Sequence, residues 1–133
     1  ETQVLIPRLV TPLATLLYKA ATRDLAGQNL QWRNDSAVTV VLAADGYPAA
    51  PKTGGVISSI PAIADTYVFH AGTSSTDASL LSSGGRVLTV TGIGSDLTEA
   101  RDRAYRAISQ IQLEGSFYRT DIALNASVAE KGN

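Results

Sequence analysis

The stretch VFHAGTSSTDASLLSSGGRVLTVTG, Val68 to Gly92, holds the only histidine of this 133-residue chain, His70, and a glycine pair followed by an arginine, Gly84-Gly85-Arg86. A lone imidazole can pass a proton near neutral pH or simply hold one hydrogen bond. No paired acids or His-Glu spacing surround it, and no serine-hydrolase motif is present. His70 therefore reads as a catalytic base or as a hydrogen-bonding residue at a strand end. The glycine pair offers different chemistry. Two residues without Cβ let the backbone turn tightly or approach a ligand closely, and the adjoining guanidinium is a rigid fork of donors matched to phosphate or carboxylate. Gly84-Gly85-Arg86 is thus an anion cradle, or a hairpin turn followed by an exposed arginine.

Composition narrows the classes. Eleven basic residues stand against twelve acidic ones, a net charge of -1. No segment gathers the Lys/Arg cluster that binding to a phosphate backbone or anionic lipid needs, so neither nucleic acid nor membrane is an expected partner. Cysteine is absent, which removes disulfides, zinc-finger spacing and a thiol nucleophile and fits a reducing, cytoplasmic setting. The N-terminus has no basic segment leading into an apolar signal core, and the longest apolar runs fall far short of the ~20 residues that span a bilayer. A content of 44% hydrophobic and 17% charged residues suits one globular domain. The chain opens on Glu1-Thr2-Gln3 and contains no methionine, and Val4, Leu5, Ile6, Leu9 and Val10 already look like packed residues. The expectation is a fragment.

The elements that would position these residues alternate between helix and strand patterns. Thr11 is a candidate cap and Pro12 suits a first turn, after which Leu13, Leu16, Leu17, Ala20, Ala21 and Leu25 fall at helical spacing up to Gly27, as a packing stripe would. Ala37 to Ala44 reads as a β-branched strand, and Asp45 to Gly55, rich in Gly and Pro, as a loop. Further strands are expected at Val56 to Ile60, Tyr67 to His70 and Arg86 to Thr91, joined by hairpins. Asp96 and Glu99 form a capping-box-like start to a second helix, with Leu97, Ala100, Ala104, Ile108 and Ile111 inward and Arg101, Asp102, Arg103 and Arg106 on a solvated face. Ser116 to Ile122 can run extended, and Asn125 to Asn133 reads as a polar, frayed tail. The order predicts an α+β fold, a small and mostly antiparallel sheet with packed helices.

Six blocks carry a resemblance: ETQVLIPRL at the start, AVTVVLAADGYP, VFHAGT, SGGRVLTVTG, EARDRAYRAI and EGSFYRTDI, in that order over about 120 residues. Together they resemble the C-terminal part of the phosphoribosylamine-glycine ligases, the glycinamide ribonucleotide synthetases of purine biosynthesis. In that family the Glu-Thr-Gln lead follows an Asn-Cys-Arg-Phe-Gly-Asp-Pro segment that ends the ATP-grasp domain and includes magnesium-ligating positions. The loop after Gly-Tyr-Pro usually continues Gly-Asp/Glu; here it is Ala49-Ala50-Pro51, so the acid is missing.

The resemblance implies an ATP-grasp carbon-nitrogen ligase. ATP would activate glycine as an acyl phosphate, and the amine of 5-phosphoribosylamine would attack it. ATP and Mg2+ would be held by the upstream ATP-grasp domain, a partner of this part, with no cofactor or metal site in the chain itself. This part, inactive alone, would close the substrate cleft in a unit resembling the C-terminal domain of biotin carboxylase. The implied organisation is 1–28 as the end of the ATP-grasp region and connecting helix, 29–125 as the C-terminal ligase domain and 126–133 as a polar tail. Five residues are implied at the substrates: Glu1, Arg8, His70, Thr73 and Arg86. Each keeps a structural alternative: a helix-start acid for Glu1, an ion pair across the domain junction for Arg8, a turn-shaping hydrogen bond for His70 and Thr73, and a pair with Asp121 for Arg86. A stand-alone anion-binding or assembly module is the other function left open.

Overall fold

The computed structural model describes residues 1–132. Its centre is a three-stranded antiparallel sheet in the order β1-β5-β2, with β1 Ser36–Ala43, β2 Thr66–His70 and β5 Arg86–Gly94. Runs of Val, Leu and Thr make these strands, because branched side chains fit a pleated, packed surface. Everything in β5 from Val87 to Gly94 is buried, so β5 is covered on both faces.

Helix α3, Leu97–Ile108, covers one face. Its start is as expected: the Asp96 carboxylate accepts from the Glu99 amide at 2.7 Å. The Glu99 carboxylate turns instead to the Ser95 amide and hydroxyl, at 2.7 and 2.8 Å. Ala100, Ala104, Ala107 and Ile108 are buried against β1 and β5, where they meet Val38, Val40, Leu42, Leu88 and Val90. The approach is close because Gly92 and Gly94 lie beneath Ala100; a Cβ on either would run into the helix backbone.

The opposite face receives the N-terminal arm. Helix α1, Thr2–Leu5, and the 3-10 turn η1, Ile6–Arg8, lead to α2, Leu13–Ala21. Helix α1 packs on β1 and β5. Helix α2 differs from its sequence expectation at three points. Thr11 does not cap it, since its hydroxyl accepts from the Gln31 amide at 2.8 Å. It stops at Ala21, where the Thr22 hydroxyl takes the Tyr18 carbonyl and Arg23 adopts a φ of 60°, well before Gly27. Its apolar stripe buries nothing: Leu13, Leu17 and Tyr18 are exposed, and no residue of α2 is buried.

Other expectations change as well. Val56 to Ile60 is no strand: the Ile57 amide donates to Leu80 and the Ser58 amide to Gln112, a change of partner that leaves two isolated bridges. Two three-residue strands unread in the sequence, β3 Thr73–Ser75 and β4 Leu80–Ser82, form a hairpin closed through Thr76 and Ser79. Of Ser116 to Ile122, only Phe117 pairs, with Ala43. The expected frayed tail is helix α4, Leu124–Lys131, whose Ser127 is buried and whose Glu130 carboxylate accepts from the Leu97 amide at 2.6 Å, capping α3. The last tail residue, Asn133, lies outside the described residues. Nor is the polar face of α3 wholly solvated. Arg101 donates to the carbonyls of Ile122 and Thr120, and Arg103 to that of Ile93, while Asp102 and Arg106 stay exposed. Among the described residues no helix is long and apolar enough to cross a membrane.

Candidate functional site: the cleft at Arg86

The two motifs that carried chemistry in the sequence meet at one end of the sheet. After β2 the chain turns through Ala71-Gly72, whose amides donate to the carbonyls of Val87 and Arg86 at 3.1 and 2.8 Å. Gly72 lies directly against Gly84, and a Cβ on Gly72 would stand 2.8 Å from Gly84 Cα. His70 Nδ1 and Thr73 Oγ1 are 3.0 Å apart across this turn. Both hold the turn that carries Gly72 to the glycine pair.

Arg86 opens β5, and a bulge decides where it points. Leu42 pairs with Leu88 but the next residue, Ala43, pairs with Arg86, which leaves Val87 as an extra residue in β5. A bulge of this kind bends the strand and re-aims a side chain. Val87 is fully buried, while Arg86 is exposed and lines a cleft of about 260 Å³ with Val41, Tyr47, Phe117, Tyr118 and Arg119. The cleft walls are apolar and its two cations are guanidiniums.

Those cations differ. Arg119 is engaged by Asp121 through two bonds, Nε to Oδ1 at 2.9 Å and Nη2 to Oδ2 at 2.6 Å. The hydrogen bond from Arg119 holds the Asp121 carboxyl below its ordinary range, and the same bond raises Arg119. Asp121 is thus spoken for, and the alternative that Arg86 pairs with it does not hold. Among the described residues Arg86 makes no side-chain hydrogen bond or ion pair. An exposed guanidinium at the mouth of an apolar cleft, with no internal acid, is suited to an external carboxylate or phosphate.

The glycine pair is packed against protein. Gly85 carries the Tyr47 ring against its Cα, its carbonyl accepts from the Ala44 amide at 2.8 Å, and Gly84 abuts Gly72. The missing Cβ atoms make room for protein.

Glu1 and Arg8 lie on the N-terminal arm, apart from this cleft. The Glu1 carbonyl accepts from the amides of Val4 and Leu5, and its exposed side chain caps nothing. Arg8 Nη2 donates to the Arg33 carbonyl at 3.2 Å, and the Arg33 amide returns a bond to the Arg8 carbonyl. Arg8 therefore pins the arm to the 31–33 segment.

A second cavity, about 340 Å³, went unread in the sequence. Lys52 reaches Asp45 at 2.6 Å across the Gly/Pro-rich loop, and Glu114 stands on the same rim. The Lys52 ammonium holds the Asp45 carboxyl low, and Asp45 raises Lys52. Two of the glycine amides here are already used, Gly54 by the Ser82 carbonyl and Gly55 by the Ser82 hydroxyl. Among the described residues no three His, Cys, Asp or Glu side chains converge.

Comparison with known proteins gives this geometry a context. The family described as "Phosphoribosylglycinamide synthetase, C domain" matches residues 37–125. The phosphoribosylamine–glycine ligase of Streptomyces coelicolor is 52% identical over 97% of this chain and 32% of that protein. The ligase of Rhizobium meliloti is 46% identical over 98% of the chain and 31% of its own length. The crystal structure of the Thermotoga maritima phosphoribosylamine–glycine ligase superposes with a TM-score of 0.67 at 38% identity, over 80% of this chain and 27% of that one. The chain thus spans about a third of the relatives it matches.

Proposed function

Since the chain belongs to the phosphoribosylglycinamide synthetase family, whose C domain it carries at residues 37–125, we propose that it works as the C-terminal portion of a phosphoribosylamine–glycine ligase. In that reaction ATP activates the glycine carboxylate as an acyl phosphate, the amine of 5-phosphoribosylamine attacks it, and glycinamide ribonucleotide, ADP and phosphate leave. The protein's share of such chemistry is mostly positioning and charge stabilisation, which needs no cysteine or histidine-based triad. ATP and Mg2+ belong to an ATP-grasp domain upstream, in a cytoplasmic enzyme, and this part alone is inactive.

Residues 1–28 are the end of that upstream region and its connecting helix. Two observations support this. The C-domain match starts only at residue 37, although the relatives align with 95–98% of the chain. Helix α2 also presents Leu13, Leu17 and Tyr18 to solvent, an apolar strip on a nine-residue helix too short to be stable without tertiary packing.

The role of residues 29–125 is to close one side of the substrate cleft. Arg86, the guanidinium without an internal acid at the mouth of the Val41–Phe117 cleft, is the observation that carries this reading. It takes the 5-phosphate of phosphoribosylamine, while His70 and Thr73 hold the turn behind it without moving protons. Kinetics on Arg86→Lys and Arg86→Ala in the full-length ligase test it. A bidentate contact is poorly replaced by a point charge, so both variants are expected to raise the KM for phosphoribosylamine, the alanine by on the order of tenfold or more. If both stay within about twofold of wild type, a difference of ~0.4 kcal/mol, the phosphate is held elsewhere.

A further inference from the structure

Arg86 has no partner of its own to fix it, so its aim depends on the backbone beneath it. That backbone is irregular. The bulge at Val87 removes the regular pleat which would otherwise dictate the direction of the side chain, and the two preceding residues are glycines. A chain of this composition is intrinsically mobile. Three contacts stand out among those that hold it. The Gly85 carbonyl accepts from the Ala44 amide at 2.8 Å, the Arg86 carbonyl accepts from the Gly72 amide at 2.8 Å, and the Tyr47 ring sits against the face of Gly85. The first two are backbone bonds. The third is a side chain, and it lines the same cleft as Arg86.

The backbone of Tyr47 is held in a turn. Its amide donates to the Ala44 carbonyl at 3.1 Å, and Gly46 before it has a φ of +80° with its carbonyl taken by the Ala50 amide at 2.8 Å. A Cβ on Gly46 would collide with the Ala50 carbonyl, and one on Gly85 would collide with Tyr47 Cδ2 and stand 3.0 Å from Cε2 and 3.4 Å from Pro51 Cβ. The ring thus rests on the glycine before Arg86. Among the described residues its hydroxyl makes no hydrogen bond, so the contact is made by the ring carbons.

We propose that Tyr47 is a positioning residue for Arg86: its ring, seated on Gly85, sets the course of the strand into the bulge and so the direction of the guanidinium toward the anionic substrate. This rests on the reading of Arg86 given above. Displacements of about 1 Å at a binding group can cost on the order of a hundredfold in rate, so loss of the ring should be felt at the substrate Arg86 holds.

The test is a set of variants in the full-length ligase, with the KM for phosphoribosylamine, glycine and ATP measured separately. Tyr47→Ala is expected to raise the KM for phosphoribosylamine by on the order of tenfold and leave those for glycine and ATP within about twofold. Tyr47→Phe, which keeps the ring, should restore the wild-type value, and Gly85→Ala, which evicts the ring, should behave like Tyr47→Ala. The double variant Tyr47→Ala/Arg86→Ala should be no worse than Arg86→Ala alone, because two residues acting through one group are not additive. Additive losses, a general rise in all three KM values, or a Tyr47→Phe as impaired as Tyr47→Ala would each overturn the inference. If Arg86→Ala raises the KM and Tyr47→Ala does not, the positioning role fails and the phosphate contact stands. If Arg86→Ala has no effect, the phosphate contact fails and the positioning role falls with it.

Discussion

Thr91, at the middle of the central strand, donates its hydroxyl to the carbonyl of Gln3, eighty-eight positions earlier, at 2.9 Å. The same hydroxyl lies 2.6 Å from that of Thr39 on β1. Thr91 is fully buried and its partners are half-buried, and this small network fastens the N-terminal arm to the sheet. Thr91→Val keeps the shape but orphans the Gln3 carbonyl and the Thr39 hydroxyl. A buried polar group left unpaired costs about 1–3 kcal/mol, and a loss in that range is expected in chemical denaturation of the variant. Thr39→Val leaves the Gln3 bond in place and should cost less. Equal stabilities for the two would show that the arm is not held through Thr91.

Arg103 is expected to matter more than Arg106, its near neighbour on the same helix. Arg103 Nη1 donates to the Ile93 carbonyl at 2.6 Å and reaches Asp65 at 3.1 Å, and Nη2 meets Glu99 at 2.7 Å. Arg106 is exposed at the helix end. Hydrogen bonds from a charged donor contribute about 1.5–3 kcal/mol. Arg103→Ala should therefore lower stability by about 1–2 kcal/mol and Arg106→Ala by less than about 0.5, read as shifts in the urea midpoint.

The contrast between these two arginines marks how far the sequence could be read. The α3 stripe, the Asp96 cap and the β-branched runs of β1 and β5 are local signals, and the structure has each of them close to where spacing puts it. What spacing cannot carry is partnership. Arg101 and Arg103 look solvated on a helical wheel because the carbonyls they bind come from Ile93, Thr120 and Ile122, on other elements. Helix α4 reads as a frayed tail because its sequence is polar; the buried Ser127 and the bond from the Leu97 amide to Glu130 show it docked. At the candidate site Gly84-Gly85-Arg86 was legible as a special stretch, but not which way Arg86 faces. That depends on a bulge whose cause lies in the pairing of β1 with β5. The α2 stripe was legible too, but among the described residues nothing buries it.

Acid should weaken the fold through Glu99. Its carboxylate accepts from the Ser95 amide and hydroxyl, and these bonds, with Arg103 a lesser contributor, hold its pKa below the ordinary glutamate value of 4.5. A carboxyl depressed in the folded state adds stability that is fully present above its unfolded value and is lost as pH falls through the folded one. Stability should therefore be flat near neutrality and decline below about pH 4.5. Asp121 and Asp45, depressed by Arg119 and Lys52, add to the same limb from their ordinary value of 3.8. Denaturation midpoints for Glu99→Gln should show a shallower acid limb than wild type. An unchanged slope would mean that the Ser95 bonds do not persist in solution.

Gly92 is the position where one methyl group should do most harm. It lies toward the end of β5, opposite Val38, and it faces α3. A Cβ there would collide with the Ala100 carbonyl and stand 2.6 Å from the Ala104 amide and 3.1 Å from Arg103 Cβ. Two of these neighbours are helix backbone, which has no rotamer to escape into. Nor can the helix retreat as a body, because Ala100, Ala104 and Ala107 are fully buried and Arg101 and Arg103 tie it to three carbonyls. Overpacking of this kind costs about 1–3 kcal/mol and more where nothing can yield, so Gly92→Ala is expected near the upper end, at about 3 kcal/mol. Gly54→Ala is the control. Its φ of +84° disfavours a side chain, at a cost of roughly 1–2 kcal/mol, but nothing lies within 4 Å of the new methyl. If Gly92→Ala proves no more destabilising than Gly54→Ala, then α3 rides higher on the sheet than the contact of Ala100 with Gly92 requires, and the tight seat beneath the helix is not what these glycines provide.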